Sequence, residues 1–358
     1  MAERTIVIAE AGVNHNGSLD LARRLVDVAA EAGADIVKFQ TFDSAQLVTA
    51  TAAKAEYQTT NTGEGGSQMA MLRKLELPKD AHHDLVKHAR QRGIRFMSTA
   101  FDARSLEFLA TLEMPAIKIP SGDITCAPLV LQAARLRRPL ILSTGMSTLA
   151  EIEQALGVIA FGLTADREPT AKADFASAYR SAEGQRALEA HVTLLHCVTQ
   201  YPAPAQAANL LAMDTMAAAF GLPVGYSDHT AGIDIAIAAV ARGARIIEKH
   251  FTLDRNMPGP DHAASLEPAE LTQMIRSIRN VELALGSRLK RPVAEELQNI
   301  PIARRSIVAA RKIEAGEVFT ADALTWKRPG QGVSPLEYWD LLGRKARRAF
   351  ERDELIEL

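Results

Sequence analysis

Between residues 5 and 285 the chain repeats one unit eight times: a short apolar run, then a longer segment with apolar residues at helical spacing. The runs are TIVIAEAG (5–12), DIVKFQTF (35–42), IRFMSTAF (94–101), AIKIPSG (116–122), PLILSTG (139–145), VTLLHCV (192–198), PVGYSDHT (223–230) and RIIEKHF (245–251). The segments between them include SLDLARRLVDVAAEAG and AEIEQALGVIAFG, and EPAELTQMIRSIRNVELALG carries the last helix. Strands alternating with helices imply a parallel sheet with helical crossovers. Eight units over nearly 300 residues match an α/β fold of the (β/α)8 TIM-barrel type, usually roughly 250 residues long. A doubly wound sheet is the rival, but no glycine-rich dinucleotide turn opens the chain, and the regular rhythm favours closure.

Two segments interrupt the rhythm. Residues 43–78 form a polar, glycine-containing insertion expected to lie over the site as a lid, and residues 161–190 form a second insertion before strand six. The barrel is expected over 1–285, followed by a charged, proline-marked linker at 286–301. A small β-rich domain is expected over 302–358, with a modest core of its own. The net charge of −2 and an aromatic share of 5% disfavour a nucleic-acid surface. The basic cluster RKARR (344–348) reads as domain surface. The two cysteines, Cys126 and Cys197, suit a reducing compartment, and Cys197 reads as barrel core rather than nucleophile. No apolar run reaches the length of a membrane span. MAERTIVIAEAG enters a strand-like run without a signal-peptide pattern, so the cytoplasm is the expected location.

In a barrel of this kind the site forms at the C-terminal ends of the strands, and here those ends are polar. Glu10 closes the first run, with Asn14 and His15 after it. Lys38 and Gln40 share a face of the second, because side chains alternate. Ser98 and Thr99 end the third; Lys118, Ser121 and Asp123 belong to the fourth, and Ser143 and Thr144 to the fifth. Thr199, Gln200 and Tyr201 follow the sixth, Ser227 and His229 share a face of the seventh, and Glu248 and His250 share a face of the eighth. Two lysines in an interior are costly unless an anion sits with them, so the lysines and hydroxyls read as a phosphate or carboxylate pocket. His229 and His250, with Asp228 and Glu248 beside them, can hold a divalent cation with positions left for water or substrate. With no thiolate nearby, Mn2+ suits first, and Mg2+ or Co2+ also suit, better than a closed structural zinc site. His82, His83 and His88 lie in AHHDLVKHAR, a polar helix, and read as solvated.

The motifs IAEAGVNHNGSLDLA, VKFQTF, KIPSGD, ILSTGM, GYSDHT, EKHFTL and MPGPDHAASLEP, with KRPG in the tail, closely resemble the bacterial sialic acid synthases. That family includes the N-acetylneuraminate and legionaminate synthases. The tail resembles the antifreeze-like SAF domain these enzymes carry. The resemblance implies condensation of phosphoenolpyruvate with N-acetylmannosamine or a related acylamino hexose, giving a nine-carbon 2-keto acid and phosphate. The alternative acceptor is a 2,4-diacetamido-6-deoxy hexose leading to legionaminate or pseudaminate.

The resemblance further implies that Lys38, Thr99, Lys118, Ser121, Ser143, Thr199 and Ser227 bind phosphoenolpyruvate, and that His229 and His250 hold the metal. Glu10, Gln40, Tyr201 and Asp261 would meet the sugar, and Glu10, Lys38, Lys118 and Glu248 would carry the chemistry. Arg328 would reach the sugar's N-acetyl group from the partner in a domain-swapped homodimer. Asp123 departs from the pattern, standing where many members have glutamate, and Thr199 and Gln200 in CVTQYP differ from the asparagine-containing loop of some members. Two other readings of the residues stay open. One is a Schiff-base aldolase using Lys38 or Lys118; the other is a non-catalytic carbohydrate- or ice-binding protein working through its tail.

Overall fold

In the computed structural model, residues 4–63 and 66–357 are described. The chain divides into two compact units, Met1–Gly286 and Ser287–Leu358. The first unit holds eight parallel strands: β1 (Ile6–Gly12), β2 (Ile36–Thr41), β3 (Arg95–Ala100), β4 (Ile117–Ile119), β5 (Leu140–Ser143), β6 (Val192–Cys197), β7 (Val224–Asp228) and β8 (Ile246–His250). They hydrogen-bond in the order β3-β2-β1-β8-β7-β6-β5-β4. This is a nearly closed TIM-type barrel in which β3 and β4 face each other across the seam, and all eight expected strands are present.

Each strand is followed by a helix whose apolar stripe packs on it: α1 (Leu19–Glu31), α2 (Lys79–Gln91), α3 (Ala103–Ala110), α4 (Ala127–Arg135), α5 (Leu149–Thr164), α6 (Ala212–Phe220), α7 (Asp234–Ala241) and α8 (Pro268–Leu285). Local sequence sets their boundaries. Ser18 caps α1 by accepting the Leu21 N–H, and Gly33, at φ +84°, turns the chain out of it. Ala22, Leu25, Val26 and Ala29 of α1, spaced three and four apart, are the buried stripe. Thr148 and Glu151 form a capping box at the start of α5.

Tertiary structure revises two expectations and fills in a third. The second insertion starts later than expected, because α5 continues to Thr164; the helices Lys172–Arg180 and Ala182–His191 then lead into β6. The first insertion is built from three short helices, Ser44–Leu47, Glu56–Thr62 and Gln68–Arg73. His82 is not solvated: it lies on the buried stripe of α2, with Nε2 2.7 Å from Thr41 Oγ1 and Nδ1 3.0 Å from the Pro78 carbonyl. His88 instead pairs with Asp27 at 2.8 Å.

In the second unit β9 (Ser306–Ala309) and β10 (Leu324–Lys327) pair antiparallel. Its core gathers Ile307, Ile313, Phe319, Leu324, Leu341 and Phe350.

Candidate active site

Parallel register brings the polar strand ends together. Glu10 on β1 is level with Lys38 on β2 and with His250 on β8, Gln40 is level with Thr99 on β3, and Ser227 on β7 is level with Glu248 on β8. The β1–β2 ladder shifts between Glu10 and Gly12, a bulge beside the site. Gly12 sits at φ +53°, and a methyl group there would lie 3.2 Å from the His250 ring.

These side chains line a cavity of about 320 Å3. At its floor, Lys38 Nζ donates to Glu10 and to Thr99 Oγ1 (3.0 Å) and lies 3.6 Å from Glu248. Lys118 Nζ donates to Glu248 Oε1 at 3.0 Å, and Ser227 Oγ is 2.9 Å from the same oxygen. Gln40 donates to Glu10 at 3.3 Å. Two lysines and two carboxylates thus neutralise one another out of contact with water. Burial pushes Glu10 up to about 7 against the pull of Lys38. Burial also opposes charge on Lys38, but Glu10 and Glu248 hold its pKa above the ordinary value. Glu248 goes the other way: burial is outweighed by Lys118 and Lys38, and its pKa falls.

His229 and His250 face each other with ring centroids 5.9 Å apart. Burial holds both unprotonated, His229 down to about 4 and His250 well below its usual value. His229 Nδ1 lies 2.6 Å from the Val198 carbonyl, so it carries the proton and leaves the Nε2 lone pair toward the cavity. His250 Nδ1 is buried without a hydrogen-bond partner. Neutral imidazoles, one orphaned and one oriented from behind, are a donor set that fits a divalent cation. Among the described residues no group of three or more His, Cys, Asp or Glu side chains is arranged as a metal cage. Any cation here would keep open positions.

The carboxylate beside His229 in sequence is not beside it in space. Asp228 points to the opposite face of β7, where it pairs with the buried Lys249 at 2.7 Å and accepts from the Thr230 N–H and hydroxyl. Strand alternation separates it from Ser227 and His229. Tyr201 packs on His229 at 4.2 Å between ring centroids, and Asp261, pushed up to about 6 by burial, lines the same cavity. Ser121 Oγ accepts the Gly145 N–H and lies 3.0 Å from Cys197 Sγ. Cys197 is therefore buried and also part of the cavity wall. The Ser143 hydroxyl is buried with no partner, and Thr199 lines the cavity. Asp123 is pushed up to about 6 by burial and lies outside the lining. Arg328 belongs to the second unit and is exposed there.

The sequence placed the first insertion over the site but singled out none of its residues. Tyr57, tilted 35° against Tyr201 at 5.2 Å between ring centroids, and Leu47, Val48, Gln58, Gln68, Met71 and Leu72 line the cavity. The only signal was the aromatic in KAEYQTTNT; the segment has no period to read.

A barrel with paired lysines and carboxylates at its strand mouth, beside two unprotonated imidazoles, has the layout of a TIM-barrel enzyme's active site. The NeuB family model matches residues 25–290, and the SAF domain model matches residues 304–357. The chain belongs to the NeuB family. It is 46% identical to the N,N'-diacetyllegionaminic acid synthase of Campylobacter jejuni over 99% of both chains. It is 44% identical to the enzyme of the same name from Legionella pneumophila, over 95% of this chain and 89% of that one. Among solved structures it resembles the N-acetylneuraminic acid synthetase of Leptospira borgpetersenii, with TM-score 0.67 and 32% identity over 83% of this chain and 90% of that one.

Proposed function

We propose that the protein condenses phosphoenolpyruvate with an open-chain 2,4-diacetamido-6-deoxy hexose, forming a nine-carbon 2-keto acid of the legionaminate type and releasing phosphate. The observation carrying this is the buried Lys38–Glu10–Glu248–Lys118 array beside the His229–His250 pair, taken with family membership. The names of the two relatives at 46% and 44% identity favour the diacetamido acceptor over N-acetylmannosamine.

Phosphoenolpyruvate exchanges lysine–glutamate contacts for lysine–phosphate and lysine–carboxylate contacts, and Ser143, Ser227 and Thr99 supply hydroxyls to its oxygens. The enol carbon attacks the acceptor aldehyde, whose oxygen takes a proton from solvent and becomes a hydroxyl, and positive charge develops at C2. Water adds there, giving its proton to Glu10, whose pKa near 7 suits exchange at neutral pH. The tetrahedral adduct then breaks its C2–O bond to phosphate, while Lys38 and Lys118 hold the departing charge. One water is consumed, and no Schiff base forms. His229 and His250 would hold a divalent cation, Mn2+ first, which when bound polarises the acceptor's aldehyde oxygen. A homodimer in which Arg328 reaches the acceptor's N-acetyl group from the second copy completes the reading, and a cytoplasmic setting suits it.

Incubation with phosphoenolpyruvate, Mn2+ and the 2,4-diacetamido-6-deoxy sugars or N-acetylmannosamine should release phosphate and a keto acid in equal amounts. If no acylamino hexose supports release, the reading is wrong.

A further inference from the structure

The sheet does not hold the two imidazoles equally. His250 lies within β8, level with Glu10 on β1. His229 lies one residue beyond Asp228, the last residue of β7 and the last in register with β8. On the β6 side one backbone bond reaches it, from the Ala203 N–H to its carbonyl at 2.8 Å. Asp228 and Lys249 face each other across that last β7–β8 rung and pair on the outward face at 2.7 Å. Both also grip Thr230, the residue after His229. Asp228 Oδ1 accepts the Thr230 N–H at 2.9 Å and its hydroxyl at 2.7 Å, and Lys249 Nζ donates to the Thr230 carbonyl. Asp228, Thr230 and Lys249 are buried, whereas Ala231 and Gly232 just beyond are exposed. The ion pair thus anchors the backbone on both sides of His229.

We infer that Asp228, Lys249 and Thr230 are positioning residues for the divalent cation: their clamp sets the direction in which His229 presents its Nε2 lone pair. The inference rests on the metal half of the proposed function. Two constraints fix that direction. The Val198 carbonyl holds the ring at Nδ1, and the clamp holds the backbone from which the ring hangs. Packing alone does not call for charge here. A buried ion pair is costly to desolvate, and apolar side chains of similar volume would join the strands as well or better. Apolar side chains cannot accept an N–H and a hydroxyl, and donate to a carbonyl, of one residue.

The double variant Asp228→Ala with Lys249→Met releases Thr230 without leaving a lone buried charge. Its affinity for Mn2+ in the absence of substrate, followed by the electron paramagnetic resonance of the free ion, should fall about 10- to 100-fold. His229→Ala gives the reference for a lost site. A second double variant, Asp228→Asn with Lys249→Met, keeps an amide oxygen to accept from Thr230 and should recover most of that affinity. At saturating Mn2+ both should approach native turnover, with the KM for phosphoenolpyruvate unchanged. Native Mn2+ affinity in the first variant would overturn the inference. So would equal losses in the two variants, or a parallel loss of phosphoenolpyruvate binding, either of which makes the pair structural only. If neither double variant folds, Thr230→Val decides: it should weaken Mn2+ binding several-fold, and an unchanged affinity overturns the clamp. Native protein that binds no Mn2+ removes the metal and this inference together. Mn2+ binding without turnover of any acylamino hexose removes the proposed condensation alone, and the affinities of the variants still decide the clamp.

Discussion

Asp228 and Glu248 are carboxylates beside histidines in sequence, and the fold gives them opposite tasks. Glu248 is inside, accepting from Lys118 and Ser227; Asp228 is outside the barrel lumen, neutralising Lys249 where both side chains are buried. Removing one partner of such a pair leaves a buried charge, so Lys249→Met should lower stability by about 3–5 kcal/mol, measured by urea unfolding. Unchanged stability would place that pair in water. His15 makes a pH prediction. Its Nδ1 accepts the Gly17 N–H, its ring is buried, and burial lowers its pKa from 6.5 to about 3. The folded state thus refuses a proton that the unfolded chain accepts below about pH 6.5. Its contribution to stability is complete above that pH and is lost as pH falls toward 3, at about 1.4 kcal/mol per pH unit for one proton. His15→Asn, which keeps an acceptor and removes the titration, should make the fall of stability between pH 6.5 and 5 less steep. An unaltered slope would assign the proton elsewhere.

At the scale of elements, the strands and helices were legible because their periods are short and their caps are local: Ser18, Thr148 and Glu151 announce helix starts, and Gly33 a helix end. The same alternation put Lys38 with Gln40 and Glu248 with His250. It also separates Asp228 from His229, which adjacency alone obscured. His82 was misread because eight polar or charged neighbours in the same helix hid one position of the buried stripe of α2. The insertion after β2 was legible as an insertion but not as a wall, since short helices around Tyr57 and Leu72 carry no period. Strand packing has its own test. A methyl group on Gly225 of β7 would lie 2.4 Å from the Ile246 carbonyl oxygen and 2.7 Å from Leu195 Cδ2. Gly225→Ala should therefore destabilise by about 1–3 kcal/mol through overpacking; a neutral melting temperature would mean that the β7–β8 spacing is loose.

For the whole molecule, the decisive question is whether a second copy completes the site. If Arg328 serves a neighbouring subunit, Arg328→Ala chains, raised in acceptor KM, and His250→Ala chains, inactive, should recover activity at low acceptor concentration when coexpressed. Random pairing makes half of the dimers mixed and gives each one intact site, so about a quarter of native activity per chain should return. No recovery would confine Arg328 to its own subunit or remove it from the site. What the sequence determined by itself was the repeat of eight units, the motifs of the family and the list of polar strand ends, because periodicity, caps and motifs are local properties of a chain. Tertiary structure decided which of those ends meet and how their charges settle. Register set Glu10 level with both Lys38 and His250, and burial moved Glu10 and Glu248 in opposite directions. Both depend on distances between segments tens to hundreds of residues apart, and a chain read in order carries no such distances.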